Sequence, residues 1–262
     1  MTRLTWNVQR SLTSVVIMMV VVAAGIQGAT ALTYTSGDVL YVAYQSPGGA
    51  NYIVDLGPRA QFLNAAATFS LPDVRAADLN GVIGASAPSL FVGLFGVLNV
   101  TTRDGIVTAN GPNNDFDLTN SSITGAASQI DSFGSGVQQF ALAVPSGDPN
   151  AGSFASSGSV GSYQSTLDAN PLNPGKIADN LQWSVETELS NAAGVRNASP
   201  VKISFYTAVF NVFTGAMSRS VIGFFTLNPD GTLSYSPDAD GDLIADEVDL
   251  CPGVASSDNT DV

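Results

Sequence analysis

Between Leu32 and about Ser236 the apolar residues arrive in short runs, each closed by Gly, Pro, Asn or Ser. Such punctuation leaves room for strands and little for helices. The runs DVLYVAY (38–44), NYIVDLG (51–57), LFVGLFGVLNVTT (90–102), QQFALAV (138–144), LQWSVETELS (181–190), VKISFYTAVFNVFT (201–214) and SVIGFFTL (220–227) carry the β-branched and aromatic residues that suit a pleated surface. In the last, Val221, Gly223, Phe225 and Leu227 alternate with Ile222, Phe224 and Thr226. Both faces are apolar, which predicts a strand covered on both sides. Asn228-Pro229-Asp230-Gly231 then predicts a β-hairpin into TLSYS, because Pro presets one turn position and Gly tolerates the positive φ that closes the turn. Helices are expected only as accessories, over 58–67 and 73–81. The Gly-, Ser-, Pro- and Asn-rich stretch 145–176 predicts a long loop, disordered in preference to functional. The expected fold is mainly β, a β-sandwich or jelly-roll-like domain over 32–236, with α+β as the fallback.

Residues 1–31 have the make-up of a secretory signal peptide: Arg3 and Arg10, an apolar run from Val15 to Ile26, then Ala29-Thr30-Ala31. The run is shorter than the ~18–20 residues a spanning helix needs, so an uncleaved anchor is the weaker reading. Removal takes two of nine basic residues and none of the 22 acidic ones, leaving seven against 22 and a net charge of −15. That balance argues against nucleic acid or an anionic membrane as partner. The expected location is secreted or extracellular, associated with the envelope, with no membrane span after signal removal. The chain has no His, which removes Ser-His triads, Cys-His pairs, the usual zinc sites and the commonest general base. Its one Cys, Cys251, cannot form an internal disulfide.

Acidic residues crowd the C-terminal stretch 237–262, where eight of them meet no basic residue. The asymmetry marks that stretch as a separate unit. Within DADGDLIADEVDLCP, counting Asp238 as position 1 puts Asp240 at 3, Asp242 at 5, Asp246 at 9 and Asp249 at 12. Calcium takes six to eight oxygens, and a loop of about twelve residues can wrap one ion with such a spacing. The Ile244 backbone carbonyl is then the seventh-position ligand, by analogy with helix-loop-helix calcium loops. Those loops want Gly at position 6, where this chain has Leu243. The expected metal set is therefore Asp238, Asp240, Asp242, Ile244, Asp246 and Asp249, with calcium as the ion.

This wording resembles a thrombospondin type 3 repeat, matched at Asp238, Asp240, Gly241, Asp242, Asp246, Asp249, Cys251 and Pro252 and departing at Leu243. The resemblance implies an irregular backbone wrapped around calcium, inter-repeat disulfides, and an extracellular protein of the kind associated with cell adhesion. Cys251 is the single Cys of the chain, so an intermolecular disulfide, a thiol and a truncated reading frame all stay open. The opening SGDVLYVAYQSPGGANYIVDLG and the closing VIGFFTLNPDGTLSYSP also resemble secreted bacterial proteins of the PEP-CTERM type, without their sorting tail. That likeness implies an envelope or matrix location and little chemistry.

Two other readings compete with a non-enzymatic surface or adhesion protein. Glu186 and Glu188 stand two apart on a predicted strand and share a face, near the ~5 Å carboxylate spacing of a retaining glycoside hydrolase. The polar side of an amphipathic strand explains them more simply. Tyr41, Tyr44, Tyr163 and Trp183, if exposed, would suit carbohydrate binding, although their alternation fits core packing equally well. The expected partners beyond calcium are cell-surface or matrix polysaccharide or protein.

Overall fold

The computed structural model describes residues 32–45, 49–84, 89–99, 104–109, 123–156, 158–166, 186–190, 200–210, 213–214, 217–228 and 231–254. The signal-peptide expectation for 1–31 lies outside the described residues. None of the described helices is long and apolar enough to cross a membrane.

β1 (Asp38–Gln45) pairs antiparallel with β2 (Asn51–Pro58) on one side and β4 (Ser89–Asn99) on the other. Every residue from Val39 to Tyr44 is buried. Successive side chains of a strand point to opposite faces, so Leu40, Val42 and Tyr44 enter one core while Val39, Tyr41 and Ala43 enter another. The remaining strands are β3 (Phe69–Leu71), β5 (Asp104–Ala109), β6 (Leu142–Ala143), β7 (Ala151–Phe154), β8 (Glu186–Ser190), β9 (Val201–Phe210), β10 (Met217–Leu227) and β11 (Leu233–Pro237). They run β3-β11-β10-β9-β5-β4-β1-β2-β7-β6, with β8 added against β4, and every pairing is antiparallel.

This ladder does not lie flat. β2 and β10 are five strands apart in the order, about 24 Å at 4.8 Å per strand. Yet α1 (Ala60–Leu63), which leaves β2 directly, sends Phe62 against Phe225 of β10 at 5.6 Å and against Phe205, Tyr235 and Phe69. The two ends of the ladder therefore close over one shared core, with α1 and α2 (Ala76–Ile83) filling it. The architecture is mainly β with sandwich-like layering, as the sequence predicts. α1 falls within the first helical segment expected, α2 overlaps the second but continues through Gly81 to Ile83, and the hairpin between β10 and β11 closes through Asn228 N–H to Thr232 O at 2.9 Å.

Two expectations are corrected. The run 138–144 is not a strand: Gln138 to Phe140 end α3 (Ile123–Phe140), and only Leu142 and Ala143 extend, as β6. Ile130, Phe133, Val137 and Ala141 recur at helical spacing and face the core beside Leu40 and Tyr44. The stretch 145–176 holds ordered elements in its described part, β7 and α4 (Tyr163–Thr166). Phe154 and Tyr163 are its anchors, both fully buried, with Tyr163 packed on Tyr44, Phe95 and Phe133.

Candidate metal centre

The acidic loop begins at a flaw in the sheet. Between Val221 and Gly223 the β10 register shifts against β9, while on the β11 side the Ile222 carbonyl stays in register with the chain that leaves β11. That oxygen accepts the Tyr235 hydroxyl at 2.6 Å and the Asp238 N–H at 3.2 Å. Gly223 is required here, because a Cβ would collide with the Ser236 carbonyl and the Tyr235 ring. Asp238 thus leaves the end of β11 already tied to β10.

From Asp238 onward side chains organise the backbone. Asp238 Oδ1 accepts Gly241 N–H at 2.9 Å and its Oδ2 accepts Leu243 N–H at 3.1 Å. Asp240 Oδ1 accepts Asp242 N–H at 3.3 Å, and Asp242 Oδ1 accepts Ile244 N–H at 2.8 Å. Further along the chain, Asp240 Oδ2 accepts Gly253 N–H at 3.0 Å and Asp246 Oδ1 accepts Ala239 N–H at 2.8 Å. Short acidic side chains bonding to nearby N–H groups favour such tight turns over regular structure. The chain turns hardest at Leu243, whose φ of 80° makes it the one non-glycine residue with positive φ among the described residues. This is position 6, where the sequence lacks the expected Gly. The loop makes the turn regardless, at a cost on the order of 1–3 kcal/mol.

These turns bring one carboxylate oxygen each of Asp238, Asp240 and Asp242 within 4.8 Å of one another. Asp238 is only 2 % exposed. Burial pushes its carboxyl up to about 6, the neighbouring charges of Asp242 and Asp240 act in the same direction, and the two N–H donors oppose them. Of the other expected ligands, Asp246 and Asp249 stand outside this three-carboxylate group. Asp249 is nevertheless buried, with Oδ1 on Cys251 N–H at 3.1 Å and Oδ2 without a hydrogen-bond partner among the described residues. A buried orphan carboxylate oxygen is what a hard cation requires as a ligand. Ile244 is half-buried within the same loop.

The loop also leans on the body. Glu247 accepts hydrogen bonds from Thr68 and Ser236, joining it to the approach to β3 and to β11. Lys202 of β9 lies 3.8 Å from the Phe224 ring centroid; burial pushes its amine down while Asp238 and Glu247 pull it up. A cleft of about 490 Å³ opens between β9, β10 and the loop, lined by Tyr206, Arg219, Val221, Asp240 and Leu243. It brings solvent to the edge of the carboxylate group.

The other candidate residues fare differently. Tyr41, Tyr44 and Tyr163 are buried, so they offer no face to a saccharide, and Trp183 lies outside the described residues. Glu186 and Glu188 are on β8 as predicted, but their side chains lie outside the described residues. Sequence reasoning missed Gly223, Tyr235 and Ser236 as the seat of the loop. An isolated Gly in a strongly apolar strand was the available signal for a bulge. No family model, curated protein or solved structure matches the chain.

Proposed function

We propose that this is a secreted, non-enzymatic β-domain that binds calcium through its Asp-rich C-terminal loop and acts in surface structure or adhesion. One observation carries the calcium reading: three carboxylates gathered within 4.8 Å on a loop that turns at Leu243 despite the missing Gly. Asp238, Asp240 and Asp242 would hold the ion, with the Ile244 carbonyl, Asp246 and Asp249 completing an all-oxygen shell. When bound, a divalent cation supplies the positive charge that so many adjacent carboxylates otherwise lack. The protein's own part is to hold those oxygens in place through the backbone N–H groups of Gly241, Leu243 and Ile244. The thrombospondin type 3 resemblance and the extracellular adhesive role it implies rest on the same residues.

Calorimetric titration of the full chain, stripped with EDTA, is the test. Saturable heat is expected with calcium, and none with the Asp240→Asn, Asp242→Asn double variant. No heat for the parent protein at millimolar calcium would remove the reading. For the surface role, isolated envelopes should retain the protein in calcium and release it in EDTA. Equal retention in both media argues against a calcium-dependent role there.

A further inference from the structure

The cleft beside the acidic loop has two unlike walls. Its strand wall comes from β9 and β10, where the ladder sets Tyr206 opposite Val221 and Ala208 opposite Arg219. Residues two apart on a strand share a face, so Arg219 and Tyr206 are diagonal neighbours on one side of the sheet. The Arg219 guanidinium carbon lies 5.8 Å from the Tyr206 ring centroid, within cation–π reach. A guanidinium carries five N–H donors in a fixed fork, enough to serve several partners at once. The loop wall is Ala239, Asp240, Gly241 and Leu243. Asp240 accepts one N–H on each oxygen, from Asp242 and from Gly253. A carboxylate has about four acceptor sites, so about two remain. Among the described residues that line the cleft, Arg219 is the one base and Asp240 the one acid. The volume of about 490 Å³ lies within the ~300–1,000 Å³ of small-molecule sites.

We infer, resting on the calcium reading above, that this cleft binds a uronic acid residue of an acidic polysaccharide. Arg219 receives the sugar carboxylate, because a guanidinium fork matches a carboxylate with two parallel charge-assisted hydrogen bonds. The remaining acceptor sites of Asp240 take sugar hydroxyls, which donate. A neutral hexose suits the loop wall but brings no carboxylate to Arg219, and a simple carboxylate does the reverse. A cationic amine suits Asp240 but meets Arg219 as a like charge. A sugar acid serves both walls. With the loop empty, the clustered carboxylates of Asp238, Asp240 and Asp242 repel such a ligand. A divalent ion among them offsets two of those three charges. Sugar binding is therefore calcium-dependent, and by linkage the sugar tightens calcium by the same factor.

NMR of the nitrogen-labelled full chain reads the cleft through the Arg219 side-chain Nε–H and the Gly241 and Leu243 amides. Digalacturonate is the probe, with the neutral digalactoside and acetate as controls, each in calcium and in EDTA. In calcium the probe should shift those signals saturably, with an affinity about tenfold or more above either control. EDTA and Arg219→Gln should each weaken the probe about tenfold or more, while Arg219→Gln keeps its calcium heat. Equal binding of the neutral disaccharide overturns the assignment of Arg219 to a carboxylate, and equal binding of acetate overturns the sugar. Equal affinity in EDTA overturns the linkage with the ion. Calcium heat without any shift of the three signals refutes the sugar site and leaves the calcium reading standing. Absence of calcium heat in the parent protein removes both. Should Arg219→Gln fail to fold, the parent protein decides, because probe shifts confined to other residues refute the cleft.

Discussion

Calcium should raise the melting temperature of the whole β-domain, because Asp238 is joined to β10 through Ile222 and Glu247 to β11 through Ser236. A ligand that binds only the folded state at a hundred times its dissociation constant stabilises by about 2.7 kcal/mol. For a domain of roughly this size each kcal/mol moves the midpoint by about 2–4 °C, so the expected rise is about 5–11 °C. The informative variant is Asp238→Asn, in which two effects oppose each other in EDTA. It removes the cost of an ionised carboxylate raised from 3.8 to about 6, at most about 3 kcal/mol at neutral pH and less after solvent screening at the loop rim. It also leaves either Gly241 or Leu243 N–H without an acceptor, at about 1–3 kcal/mol. In EDTA the variant should therefore melt within a few degrees of the parent, whereas in calcium the increment should vanish. In EDTA the parent's Asp238 contribution is full below pH 3.8 and lost as pH rises through about 6. Differential scanning calorimetry with and without millimolar calcium measures both arms. Calorimetric binding heat without any change in melting would show a loop thermodynamically separate from the sheet, and the coupling argument would fail.

Other perturbations probe the same framework. Leu243→Gly relieves a left-handed conformation worth about 1–2 kcal/mol but adds unfolded-state entropy of about 0.5–1 kcal/mol. A gain of up to about 1.5 kcal/mol in urea unfolding is expected, and a loss would mean that the Leu243 side chain in the cleft outweighs the strain. Gly223→Ala forces a Cβ into the Ser236 carbonyl and the Tyr235 hydroxyl. Destabilisation of about 3 kcal/mol is expected by the same assay, together with weakened calcium binding. Phe62→Ala empties the meeting point of Phe205, Phe225 and Tyr235 and should cost about 3–5 kcal/mol. A cost below about 1 kcal/mol would mean that α1 does not plug the core.

The strands were legible because their signal is local. Val39 to Tyr44 are apolar on both faces, and both faces are buried. The hairpin at Asn228 to Gly231 is written in its turn residues. α3 was hidden for the opposite reason. Its Ser, Gly and Gln content masks a periodicity carried by Ile130, Phe133, Val137 and Ala141 alone. Gly134, which reads as a helix breaker, is where the Tyr34 ring comes so close that no Cβ would fit. Tyr163 shows the same limit in another form. Its flanks are loop-like, and contacts with Tyr44, Phe95 and Phe133, the first about 120 residues away, make it core.

For the acidic loop, spacing alone places Asp238, Asp240 and Asp242 together, since residues 1, 3 and 5 of one tight turn can hardly avoid each other. What spacing cannot supply is the seat. The Asp238 N–H is received by the Ile222 carbonyl on a strand that precedes it in sequence, beside a glycine, Gly223, where a Cβ would meet the Ser236 carbonyl and Tyr235. A loop tethered this way has its first carboxylate buried before any ion arrives, and burial makes the negative charge costly. The same contact that anchors the loop thus raises the energetic demand for a counter-charge. The departure at Leu243 then changes meaning: a turn held by Asp238 at both Gly241 and Leu243 N–H can tolerate a strained residue that a free loop would have to replace with glycine.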